Sequence, residues 1–144
     1  MEGRTVSLLA KGRSMSPLLK DGVDKVILAR CEDPKKLKKR DLPLYHRPDG
    51  RYVLHRIVKV TDSGFWMCGD AQWTIEKEIP FENIDAVAVG FIKGDKKIST
   101  DNIGYRLYSF FWVLARPLRG ILLRVWRKLR RGKNEKQRSF KMDN

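Results

Sequence analysis

Two kinds of side chain in this chain of 144 residues could together cut an acyl bond: a serine held on a tight turn and one of two histidines. Ser14 lies in Gly12-Arg13-Ser14-Met15-Ser16-Pro17-Leu18-Leu19-Lys20-Asp21-Gly22, between the apolar run Val6-Ser7-Leu8-Leu9-Ala10, which reads as a strand, and a helical turn begun at Pro17. A serine reached through glycine and followed by proline is held where its hydroxyl can face a cleft. In a purely structural role, Ser14 and Ser16 would be turn and N-cap residues. A hydroxyl is a weak nucleophile at its own pKa, so Ser14 needs a base within hydrogen-bond reach. His46 sits beside the turn Arg47-Pro48-Asp49-Gly50. His55 sits inside Arg51–Val60, whose Val, Ile and Tyr content between two turn signals reads as one long strand. With a period of two, Val53, His55, Ile57 and Lys59 share one face, and Tyr52, Leu54, Arg56 and Val58 the other.

Three boxes taken together resemble signal peptidase I, whose clan includes the self-cleaving SOS-response and phage repressors. They are Gly12-Arg13-Ser14-Met15-Ser16-Pro17, then Leu54-His55-Arg56-Ile57-Val58, then Gly69-Asp70-Ala71-Gln72, in that family's order over residues 5 to about 95. The resemblance implies that Ser14 is the acyl-enzyme nucleophile and His55 the general base. Many relatives use a lysine, which must be desolvated to lose its proton near neutrality, whereas a histidine titrates there already. In that respect the chain is similar to the endoplasmic-reticulum, archaeal and sporulation-type enzymes, in which an acid after the Gly-Asp box orients the histidine. Glu76 and Asp70 are the two candidates for that acid.

Three features depart from the family pattern. Gly12 stands where many relatives carry a hydroxyl that helps hold the oxyanion, which leaves backbone N–H groups near Ser14 and a further donor for that task. A Gly-Asp pair before the third strand is replaced by Arg40-Asp41-Leu42-Pro43-Leu44, and Pro43 is expected to weaken that strand or confine it to a sheet edge. Ala71 follows Gly69-Asp70 where asparagine is usual.

The length suits one compact domain plus an appendage, and 42% hydrophobic residues supply one modest core. Cys31 and Cys68 are too few for a disulfide framework and lack metal-ligand spacing, so they are expected to be reduced and structural, with no metal or cofactor. The first residues are uncharged only from Thr5 to Ala10, too short for an export signal or a spanning helix. Further strands are expected at Asp24–Arg30, Leu42–Tyr45 (a hairpin with Arg51–Val60), Phe65–Cys68, Ile84–Ile92 and Lys96–Ile98. Cys31–Arg40, with Lys35, Lys36, Lys38 and Lys39, is expected to be a solvated loop, and Trp73–Asn83 a loop with a helical turn. Short strands with frequent turns predict a mostly β domain over residues 1–102, and the resemblance implies the curved, coiled β-sheet of the signal peptidases.

From Ile103 the composition changes. Tyr105, Leu107, Tyr108, Phe110, Phe111 and Trp112 precede Pro117, after which Leu118, Ile121, Leu122, Val125 and Leu129 recur at helical spacing among arginines. Residues 103–144 carry 12 Lys and Arg against two acids, so this tail holds +10 of the chain's net +14. Its longest uncharged run, Leu107–Ala115, is too short to cross a bilayer. Residues 103–131 are therefore expected to form a basic amphipathic helical segment lying on an anionic membrane surface, and 132–144 a disordered tail.

These readings lead to a serine endopeptidase of signal-peptidase type, cleaving an extended peptide or precursor protein. The alternatives are a non-catalytic peptide-binding or membrane-surface module and a repressor-like self-cleaving protein. Nucleic acid is the less expected partner and a membrane protein a further one. Peripheral association, with the cytoplasmic face favoured, is expected because no export signal or spanning helix is read from the chain.

Overall fold

The computed structural model describes residues 3–122, 124, 125, 128 and 129. They form a mostly β protein with nine strands: β1 Thr5–Leu9, β2 Lys25–Arg30, β3 Pro43–His46, β4 Tyr52–Leu54, β5 Arg56–Val60, β6 Gly64–Cys68, β7 Glu76–Pro80, β8 Ile84–Lys93 and β9 Lys96–Ser99. Helix α1, Ile103–Leu114, follows. All pairings are antiparallel. One sheet runs β1-β2-β8-β3-β4 with β9 also on β8, a smaller one runs β5-β6-β7, and the sheets curl into a half-barrel. After Ala115 the residues 116–122 are again helical. No helix of the described residues is long and apolar enough to cross a membrane. The chain divides into two compact units after Val113. The tail segment 132–144 lies outside the described residues.

Two apolar clusters fill the first unit. Met15, Leu18, Leu19, Val26, Leu28, Leu42, Ala88 and Phe91 form one, and Tyr45, Ile57, Phe65, Met67 and Ile84 the other. Each large side chain so buried contributes about 1.5–3 kcal/mol, which ties the Ser14 turn, through Met15, Leu18 and Leu19, to the main sheet.

Four expectations need correction. The strand read as continuous over Arg51–Val60 is broken at His55: β4 pairs with β3 in the large sheet, whereas β5 pairs with β6 in the small one. Strict alternation therefore fails there, and His55, Arg56 and Ile57 are all buried in succession. Pro43 does not place its strand at an edge. β3 lies between β8 and β4, and Pro43 is tolerated because it is the first residue of the strand. Trp73–Asn83 contains strand β7 before a 3-10 turn at Phe81–Asn83, because Ile79 pairs with Phe65 and Pro80 with Gly64. A Cβ at Gly64 would lie 2.0 Å from the Ile79 carbonyl oxygen, so glycine permits this close pairing. Lastly, the segment assigned to the tail from Ile103 begins within the first unit: Tyr105 and Tyr108 of α1 pack on the main core.

Candidate active site

Ser14 is held by its own turn and by the Gly-Asp box. The Gly12 N–H donates to Asp21 Oδ1 (2.9 Å), and Gly12 adopts a φ of +87°, a conformation that glycine accepts without strain. The Leu19 N–H donates to the Met15 carbonyl (3.0 Å), closing a hydrogen-bonded turn around Ser16 and Pro17 where the sequence predicts a helical turn begun at Pro17. The Ser14 carbonyl accepts the Ala71 N–H (2.8 Å). A Cβ at Gly69 would lie 2.5 Å from that carbonyl oxygen and 3.1 Å from the Ser14 Cβ, so the box can close on the serine only because it opens with glycine.

His55, at the crossing between the sheets, is 2% exposed. It lines a groove of about 370 Å³ together with Ser14, and the walls include Leu8 and Leu9 of β1 and Tyr52, Val53 and Leu54 of β4. β1 and β4 are the two ends of the main sheet's strand order, so the groove runs beside strand edges that are unpaired among the described residues. Among the described residues no hydrogen bond joins Ser14 to His55. His55 Nδ1 stands 3.2 Å from the Tyr45 hydroxyl and 3.6 Å from Glu76 Oε1. Burial pushes the imidazole below its ordinary value of 6.5. Glu76 opposes that shift, Arg47 reinforces it, and Asp70 opposes it as a longer-range field. His55 is therefore a neutral base at neutral pH.

The two candidate acids part company. Glu76 extends from β7 beside His55 and is gripped by the Arg47 guanidinium, with Arg47 Nε donating to Glu76 Oε2 at 3.2 Å and Nη2 donating to Oε1. Burial would raise the Glu76 carboxyl, but hydrogen bonds from Arg47 and Tyr45 outweigh it and hold the group below its ordinary value. Asp70 is instead paired with Arg56: Nε to Oδ1 is 2.7 Å and Nη2 to Oδ2 is 2.8 Å, with both side chains about 1% exposed. Tyr108 donates to Asp70 Oδ2 (2.9 Å), the Trp112 indole to the Asp70 carbonyl (2.9 Å), and Arg56 Nη1 to the Tyr105 hydroxyl (3.0 Å). Asp70 thus fastens α1 and the Gly-Asp box to β5.

No family model, curated protein or solved structure matches this chain.

Sequence reasoning missed Tyr45 and Arg47. Tyr45 reads as an ordinary core aromatic of a short strand, and Arg47 as a turn residue. Only the β3-β4 hairpin pairing and the placement of β7 set them both against Glu76. His46, the other histidine, pairs with Asp85 (2.8 Å) on β8 and is not among the residues lining the groove. Among the described residues no group of three or more His, Cys, Asp or Glu side chains is arranged to hold a metal ion.

Proposed function

We propose that the protein is a serine endopeptidase of signal-peptidase type, with that family's coiled-sheet fold, acting on an extended peptide or precursor protein at a membrane surface. One observation carries the reading: Ser14 and a neutral, buried His55 line the same groove, with a Glu76 carboxylate oxygen 3.6 Å from the imidazole Nδ1. Ser14 Oγ attacks the scissile carbonyl. His55 Nε2 takes the hydroxyl proton and returns it to the leaving amine, and Glu76 steadies the imidazolium formed in between. The unpaired edges of β1 and β4 offer main-chain hydrogen bonds to an extended substrate. Backbone N–H groups of the Ser14 turn, with Gly12 in place of a hydroxyl, supply the oxyanion donors. Gly12, together with the unmade Ser14–His55 hydrogen bond, favours the second reading, a peptide-binding module without catalysis. Catalytic hydrogen bonds often tighten only once substrate is bound, which leaves the peptidase reading first. A serine-directed covalent probe separates the two: wild-type protein should be labelled at Ser14 and neither Ser14→Ala nor His55→Gln labelled, and equal labelling of all three rejects catalysis.

The membrane part of the proposal is supported by exposed apolar side chains on α1, namely Ile103, Leu107, Phe110 and Phe111. Beside them lies the lysine-rich loop. Arg40 sits over the Phe110 ring (5.5 Å), and Lys38, Lys39 and Arg40 share a cleft with Arg106. Apolar side chains rimmed by cations suit an anionic bilayer, where each lysine near the surface adds about 1 kcal/mol. Replacing Lys35, Lys36, Lys38 and Lys39 with serine should lower partitioning onto phosphatidylserine-containing vesicles at least tenfold, measured by sedimentation at low salt. Unchanged partitioning would remove the loop from the membrane face.

A further inference from the structure

Glu76 does not touch His55 as the third member of a triad ordinarily would. At 3.6 Å its oxygen is beyond hydrogen-bond reach of Nδ1, and the Tyr45 hydroxyl is the nearer group at 3.2 Å. Tyr45 is wholly buried in the second core cluster, where an unpartnered hydroxyl would be costly. Its oxygen has three polar neighbours, His55 Nδ1, the Glu76 carboxylate and the Arg47 guanidinium.

A carboxylate can only accept hydrogen bonds. Were the Tyr45 O–H to point at Nδ1, the Arg47 guanidinium could take one lone pair of its oxygen, but the other would face the Glu76 charge, and Nδ1 would present its own lone pair toward the same carboxylate. The opposite arrangement satisfies every group: Tyr45 donates to Glu76, and His55 Nδ1–H donates to Tyr45. Arg47 donates twice to Glu76 and also toward the Tyr45 oxygen, whose two lone pairs can accept from Arg47 and from His55 Nδ1–H.

Resting on the peptidase reading for its catalytic meaning, we infer that Tyr45 is a positioning residue that links Glu76 to His55 and locks the Nδ1–H tautomer, leaving Nε2 bare for Ser14. The linkage transfers no proton to Glu76. When Nε2 gains the Ser14 proton, the positive charge is met by a hydroxyl already polarised toward a carboxylate, and Tyr45 keeps its own proton because burial, followed by the charge of Glu76, pushes its phenol well above the ordinary value. The groups facing the imidazole come from separate elements: Tyr45 from β3, Arg47 from the β3-β4 turn, Glu76 from β7 and, farther off, Asp70 after β6. The acid limb of the free enzyme should follow the His55 imidazole, which burial holds below its ordinary value.

The decisive measurement is the tautomer, read by nitrogen NMR on full-length protein with labelled histidine at a pH where His55 is neutral. Wild-type protein should show His55 protonated on Nδ1, and Tyr45→Phe, which keeps the ring in the core, should show a mixture or the Nε2–H form. An Nε2–H wild type, or a tautomer unmoved by Tyr45→Phe, overturns the inference whether or not the protein is a peptidase. If catalysis holds as well, Tyr45→Phe should lower kcat/KM roughly tenfold to 10²-fold, within the general-base contribution of about 10²–10⁴. Its acid limb should move to lower pH, because the imidazolium loses an acceptor at Nδ1. Glu76→Gln should do the same, and the double variant should be little worse than the more damaging single. A Tyr45→Phe enzyme with an unmoved limb and full activity would overturn the catalytic role. Labelling that does not depend on Ser14 would instead fell the peptidase reading and leave the tautomer assignment standing.

Discussion

Under the proposed peptidase mechanism, Ser14→Ala should reduce peptide hydrolysis by on the order of 10⁴-fold or more while leaving the unfolding midpoint nearly unchanged, because a nucleophile and its base act as one unit. The substituted side chain is a partly exposed hydroxyl on a turn that is held by backbone bonds, from Ala71 N–H to the Ser14 carbonyl and from Gly12 N–H to Asp21. Substitutions of that kind cost within about 0.5 kcal/mol. His55→Gln should cause a comparable loss of rate, since Ser14 without a base keeps its proton at neutral pH. The double variant should then be no slower than either single. That non-additivity, measured by single-turnover cleavage of an unstructured peptide, is the signature of a shared step. Losses that multiply in the double variant would mean that Ser14 and His55 act independently, and the Ser/His mechanism would fall. His55 is buried, so its variant needs a circular dichroism spectrum beside the rate; a misfolded protein would lose the β signal along with activity.

What could be read in advance divides along a physical line. β1, β2, β6 and β8 announced themselves through largely apolar runs between turn signals, and β9 through the Lys93-Gly94-Asp95 turn before it; all five lie within a residue or two of the expected positions. Such local signals survive folding because each strand stays in one sheet. His55 is where locality ends: a period of two presumes one sheet, and the chain there leaves the large sheet for the small one, burying three successive side chains. The choice between Asp70 and Glu76 was illegible for a related reason. Two carboxylates look alike in a sequence, and what separates them is the distant cation each one meets, Arg56 for Asp70 and Arg47 for Glu76. β7 was hidden because Glu76, Lys77 and Glu78 carry the composition of a loop. Their charges are satisfied across the sheet, with Trp66 Nε1 donating to Glu78 (2.6 Å) and Lys77 lying 4.7 Å from the Trp66 ring centroid.

Asp70→Ala should destabilise the protein by about 3–5 kcal/mol, the largest stability loss expected of any single substitution among the candidate residues, because it strands a guanidinium in the core. Burial alone would lower the Arg56 pKa, and the variant loses the hydrogen bonds and charge of Asp70 that offset it; an arginine nevertheless keeps its proton in proteins, so Arg56 cannot escape by losing its charge. The remaining partners of Arg56, the Arg40 carbonyl (3.1 Å) and the Tyr105 hydroxyl (3.0 Å), carry no net charge to balance it. Replacing both members, as in Arg56→Met with Asp70→Leu, should recover much of the loss, since the expense lies in the unbalanced charge more than in the missing pair. Tyr108→Phe, which removes one hydrogen bond to Asp70, should cost only about 1–2 kcal/mol. Urea unfolding of the four proteins gives the comparison directly. The effect should also reach the groove, because Ala71, the neighbour of Asp70, donates to the Ser14 carbonyl: Asp70→Ala should lose probe labelling under conditions where it is still folded, whereas Tyr108→Phe should keep it. If Asp70→Ala unfolds within about 1 kcal/mol of wild type, the Arg56–Asp70 pair is not what fastens the Gly-Asp box, and the positioning of Ser14 must rest on the backbone alone.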